Sequence, residues 1–307
     1  MKNMKGMKRM KNMKRTKRMT ALFLGAAFML AAGFALIRER PEGGMSAPRP
    51  GVAVAAPEDA REGGVVPLFE GPDEAGRVII RLYSGAPLTV LDTSLGKWVK
   101  VQSGRQDTSV MGYMRAEDLN YGAQAMRETP LCCMLLQFSG GGDILSYCDA
   151  QAEVIDTIDP LMSYMARGYT DDGFVQLFDP SGAQAGAHGF IQLDGMEVQT
   201  SFRDSVYSHI VEPLEGEMTR EEALEKAIGY LLDGSGDEHG FFARLPEALR
   251  SREGLLSMDQ DIRLLYSTER GSAAWWVVFT DPEHSENNIS VDMTPEGGLI
   301  EISRGNG

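Results

Sequence analysis

The sequence predicts a multidomain chain: two small all-β barrels, then an α+β domain with a helix on an antiparallel sheet, all behind an N-terminal transmembrane helix. Three observations carry this. Residues 20–37 form an apolar run without a charge. Short strand patterns fill residues 65–119 and return at a nearly constant offset between 143 and 196. From Met218 the hydrophobic period changes from that of strands to that of a helix, and then back.

Residues 1–19 hold nine Lys and Arg and no acid, with Lys at every third position, and read as a basic, low-complexity cytoplasmic tail. The apolar run Thr20–Ile37 follows, and its core Ala21–Ile37 spans roughly 25 Å as a helix, the short end of what crosses a bilayer. The basic flank keeps the N-terminus in the cytoplasm by the positive-inside rule. The run ends in Arg38-Glu39-Arg40, a poor cleavage context. The segment is therefore read as an uncleaved single-pass anchor in the cell membrane, with the bulk of the chain extracytoplasmic. Residues 38–64 scatter Pro41, Pro48, Pro50 and Pro57 among Gly, Ala and acids, and read as a stiffened linker.

The first barrel is assigned to residues 65–122. Val78-Ile79-Ile80 with Leu82, Leu88-Thr89-Val90-Leu91, Trp98-Val99-Lys100-Val101 and Gly112-Tyr113-Met114 read as strands, separated by Gly71-Pro72-Asp73, Ser84-Gly85 and Gly96. These elements together resemble the bacterial SH3-like domain. The Glu70-Gly71-Pro72 turn, the Gly96-Lys97-Trp98 entry and the closing Gly112-Tyr113 with Leu119 carry the likeness; Val66-Pro67-Leu68-Phe69 departs from the family's opening strand. The resemblance implies recognition of cell-wall peptide or of protein ligands. Phe69, Tyr83, Trp98 and Tyr113 are the candidate ligand-binding residues, with the competing reading that Trp98 and Tyr113 fill the barrel's interior. A second, divergent SH3-like barrel is assigned to 130–198. Phe174-Val175-Gln176-Leu177 repeats the Trp98 strand 76 residues on, and Gly189-Phe190-Ile191 repeats the Gly112 strand 77 residues on.

Residues 201–307 form the α+β domain. Thr219-Arg220-Glu221-Glu222 is a capping box, and Ala223, Leu224, Ala227, Ile228 and Leu231 follow at helical spacing to Gly234. A shorter helix broken near Pro246 comes next. Strands then run over 262–268, 274–280, 289–293 and 299–303. This region resembles the PepSY-like, cystatin-shaped extracytoplasmic domains, through the Thr219-to-Ala227 helix, the Trp275-Trp276-Val277 strand and the Ile289-to-Ile300 hairpin. Adjacent Trp275 and Trp276 must face opposite sides of a strand.

Composition and motifs narrow the chemistry. The net charge is −14, although the first 19 residues are strongly basic, so the remainder is acidic and unsuited to nucleic acid. Three cysteines, Cys132, Cys133 and Cys148, do not make a disulfide scaffold, although a bridge from Cys148 to either of the others stays open. Leu131-Cys132-Cys133-Met134 is apolar, unlike a nucleophile's setting. The four histidines have no ligand spacing, and the loop at Asp233 fails the calcium pattern at its sixth and twelfth positions. No catalytic residue, metal or cofactor is therefore assigned. The expected function is a membrane-anchored, non-enzymatic binding protein of the bacterial envelope; the alternative is a regulator or inhibitor of an extracytoplasmic peptidase acting through the PepSY-like region.

Overall fold

The first strand stands where the sequence reads as linker. In the computed structural model, which describes residues 51–58, 64–105, 107–182 and 188–304, Val52–Ala55 is β1. It pairs antiparallel with β4 (Pro87–Leu95) on one flank and with β7 (Leu119–Tyr121) on the other. Its two faces serve two cores: Ala53 and Ala55 enter the β-rich interior, while Val52 and Val54 enter the core beneath the C-terminal helix. Flanking prolines and four small residues hide this strand in the sequence.

Strands β2 (Val65–Phe69), β3 (Val78–Tyr83), β5 (Trp98–Ser103) and β6 (Val110–Arg115) complete the first half. Alternation sets their faces, so Val66, Leu68, Ile80, Leu82, Val99, Val101 and Met114 share one interior. The second half contains β8 (Cys133–Phe138), β9 (Asp143–Leu145), β10 (Val154–Thr157), β11 (Ser163–Tyr169), β12 (Phe174–Leu177), β13 (Gly189–Gln192) and β14 (Val198–Arg203).

Two features of the expected fold class are corrected. The halves are not separate barrels, because their strands belong to one 14-stranded antiparallel sheet. The order is β10-β9-β13-β12-β11-β3-β2-β6-β5-β4-β1-β7, with β8 pairing β11 and β14 off that path. The splice is β3 against β11, with Leu82 opposite Gly168 and Arg81 opposite Tyr169. Glycine is required at 168, where a Cβ would lie 2.4 Å from the Arg81 carbonyl oxygen. Buried Gln176 ties the halves again: its Oε1 accepts from Ser103 Oγ at 2.9 Å and its Nε2 donates to the Ser103 carbonyl at 3.2 Å. Phe174 and Phe190 of the second half pack in the first half's core. The second correction concerns the transmembrane helix. No helix among the described residues is long and apolar enough to cross a membrane, and residues 20–37 lie outside the described residues.

A second, five-stranded antiparallel sheet runs in order from β15 (Ser208–Ile210) through β16 (Asp259–Ser267), β17 (Ser272–Thr280) and β18 (Ile289–Met293) to β19 (Leu299–Arg304). Helices pack on it. The short α1 (Gly122–Glu128) follows β7 and contributes Ala125 and Met126 to this core. The longer α2 (Arg220–Asp233) buries Ala223, Ala227, Ile228 and Leu231 against Trp275, Val277 and Phe279. Thr219 Oγ1 accepts the Glu222 N–H and the Glu222 carboxylate accepts the Thr219 N–H, so the capping box is formed; Gly234 at φ +71° ends the helix. In place of one helix broken at Pro246 there are two 3-10 turns and then α3 (Arg252–Ser257).

Candidate functional site

The four aromatic residues expected to line a ligand groove divide into two groups. Phe69, Trp98 and Tyr113 come together on the outer face of the first half. Phe69 is opposite Tyr113 in the ladder, and the Phe69 and Trp98 rings meet edge to face at 5.5 Å. Phe69 and Trp98 are both buried by this packing, and Lys97 Nζ stands 5.7 Å from the centre of the Trp98 ring. Tyr113 is half-buried beside Lys100. Tyr83 is elsewhere. It is buried at the splice, between Tyr169 at 5.9 Å and Phe202 at 5.3 Å, and burial pushes its hydroxyl up to about 12. The tandem tryptophans separate as a strand requires: Trp275 faces α2, and Trp276 lies on the opposite face beneath the Arg263 guanidinium.

Cys132, Cys133 and Cys148 are not joined in a disulfide, which closes the question of a bridge, and Cys132 Sγ donates to the Asp204 carbonyl at 3.0 Å. Burial pushes Cys132 and Cys133 up to about 11, so their thiols stay protonated near neutral pH. No group of three or more His, Cys, Asp or Glu among the described residues could hold a metal ion.

A candidate site is a cleft of about 690 Å³ with three walls, from the segment after α1, the turn after β14 and the C-terminal region. Residues 127–131, following from α1, form one wall; Asp204 and Ser205, just after β14, form another; His209, Tyr266 and Thr268 of the C-terminal region complete it. Its position is held by a largely enclosed ion pair. Arg127 Nη1 lies 2.7 Å from Glu217 Oε1, with side chains 9% and 11% exposed. Hydrogen bonding to Arg127 holds the Glu217 carboxyl below the usual range.

His209 is the chemically distinctive group in the wall. It is 5% exposed, packs edge to face on Tyr266, and its Nε2 is 2.8 Å from the Met126 carbonyl oxygen. A carbonyl only accepts, so Nε2 carries the proton and Nδ1 presents a lone pair. That lone pair has no partner. Burial lowers the ring's pKa, outweighing the opposite effect of the Met126 bond, which favours the neutral imidazole. With the carboxylates of Glu128 and Asp204 and the hydroxyls of Thr129, Ser205 and Thr268, the cleft is rich in acceptors. It suits a ligand bearing amines and amide N–H groups. Sequence reasoning missed this site. His209 stands in a three-residue strand with no motif around it, and its partner Met126 is 83 residues away.

No family model matches the chain, and no curated protein matches it. Among solved structures, NlpC1 from Trichomonas vaginalis aligns over 88% of this chain and 92% of its own at 12% identity, with a TM-score of 0.22, too low to carry an argument about fold or function.

Proposed function

We propose that the chain is a non-enzymatic binding protein of the bacterial cell envelope that recognises cell-wall peptide or protein ligands, with the three-way cleft as its ligand seat. The carrying observation is the lining of the cleft, in which the enclosed His209 ring, its Nδ1 unpartnered, stands among carboxylates and hydroxyls. Such a wall satisfies the N–H groups of a peptide backbone or of an amino-acid side chain. The protonated, buried thiols of Cys132 and Cys133 support the non-enzymatic part of the reading. The SH3-like resemblance supports the class of ligand.

Cosedimentation of the full-length protein with purified cell-wall sacculi tests this. Glu128 and Asp204 are exposed, so Glu128→Gln with Asp204→Asn leaves the core untouched. The wild type is expected in the pellet, and the double variant is expected to bind at least about tenfold more weakly, the equivalent of one hydrogen bond to a charged group. Retention no better than that of an unrelated acidic protein, or equal retention of the variant, overturns the reading.

A further inference from the structure

We propose that the open edge of the large sheet at β10 binds an extended, cationic segment of a partner protein as an added strand. β10 ends the strand order, bonded to β9 on one flank and to no described strand on the other. All four of its residues are exposed. Its backbone is available for pairing. The Glu153 carbonyl accepts the Ser146 N–H from the end of β9, and a trans peptide points its C=O and N–H in opposite directions, so the Val154 N–H faces the open flank. At the other end the Ile158 N–H donates inward to the Gly142 carbonyl, which turns the Thr157 carbonyl outward. A donor and an acceptor on the open flank are what strand addition uses.

The edge is apolar as well as open. Val154 is 49% exposed, Ile155 39%, and Leu161, in the turn that follows, 95%. Val154 stands opposite Leu145, whose side chain belongs to the first half's core, so an added strand continues a core face that otherwise ends at water. Charge selects the occupant. Residues 128–166 hold six acids and no Lys, Arg or His. Five of the six, Asp143, Asp149, Glu153, Asp156 and Asp159, lie in β9, in β10 or in the turns that flank β10, and all five are exposed. None of the five pairs with a cation among the described residues. A second copy of this edge would bring the same acids against them. The register slip between Val154 and Asp156, a bulge at Ile155, also twists β10 away from a flat, identical partner. A short segment in which Lys or Arg alternates with apolar residues meets neither obstacle. Its cations meet the acids, and its apolar side chains join Val154. This surface shares no residue with the three-way cleft.

Fluorescence anisotropy of a labelled peptide of alternating Lys and Val, titrated with the full-length protein, tests the site. The Lys–Val peptide is expected to bind saturably, and more weakly as salt rises; a Glu–Val peptide of the same length is expected not to bind. Hydrogen exchange is expected to slow at residues 153–157 when the Lys–Val peptide is present. The Val154 N–H lies outside the β9 ladder, so Val154→Pro should fold, and with that donor gone it should bind the peptide at least about tenfold more weakly. Glu153→Gln with Asp156→Asn should weaken binding by a similar factor; both side chains are exposed, and the new amide oxygen can still accept the Thr157 N–H. Glu128→Gln with Asp204→Asn removes the same charge at the three-way cleft and should leave peptide binding unaltered, so this surface and the cleft can fail separately. Failure of the Lys–Val peptide to bind, equal binding of the Glu–Val peptide, or protection confined to other strands overturns the proposal. So does unchanged affinity in Val154→Pro, or the same loss from both charge-removing pairs.

Discussion

His209 is a neutral imidazole at the closed joint between α1 and β15, and its burial has a measurable cost in acid. Its folded pKa is lowered beneath the unfolded value of about 6.5. The unfolded chain therefore takes up the proton first. The stability contributed by this ring is complete above about pH 6.5 and is lost as pH falls through the lower folded value. Asp292 acts with the opposite sign. Burial and the neighbouring Glu301 raise it to about 6, so its penalty is absent at low pH and grows as pH rises through that value. In an Asp292→Asn background, urea midpoints are expected to fall between pH 7.5 and 5.5. His209→Gln, whose amide can still donate to the Met126 carbonyl, should flatten that slope. An unchanged slope would show that the ring is not the titrating group. Nothing around His209 in the sequence signals this role, because a histidine's protonation depends on the wall that encloses it.

At the scale of elements, local signals and the structure agree wherever the interaction is between neighbours in sequence. The Thr219 capping box, the apolar stripe of α2 and the β18–β19 hairpin with its 294–298 turn all depend on contacts a few residues apart, and their residues declare them. The β3–β11 splice depends on residues 86 apart, and its one clue, Gly168, looks like any strand glycine. The same holds for β1, whose strand character comes from its two partners. Gly168→Ala is expected to force β3 away from β11 and to cost about 2–4 kcal/mol in urea denaturation. Gly140→Ala, with nothing within 4 Å of the added carbon, should be nearly silent. Equal effects from the two substitutions would remove the close approach as the reason for glycine at 168.

At the scale of the molecule, the two sheets behave as one body because side chains cross between them. Arg127 and Glu217, 90 residues apart, join α1 to the segment before α2. Arg127→Ala leaves a largely enclosed carboxylate and should cost on the order of 2–3 kcal/mol, less than a fully enclosed pair because about a tenth of each side chain still meets solvent. A double-mutant cycle with Glu217→Gln should show a coupling of about 1–3 kcal/mol, and additivity would mean that the pair holds nothing together. The cycle belongs above about pH 4.3, since Glu217's lowered pKa means that its contribution disappears only as pH falls through the folded value. The placement of β1 also has a mechanical consequence. A strand pulled along its own axis while bonded on both flanks must shear two ladders at once, whereas a strand peeled from an edge yields one bond at a time. Tension entering at Val52 meets β4 and β7 together, and Val54 is keyed into the helix-covered core. Force applied there is shared by both sheets before either opens.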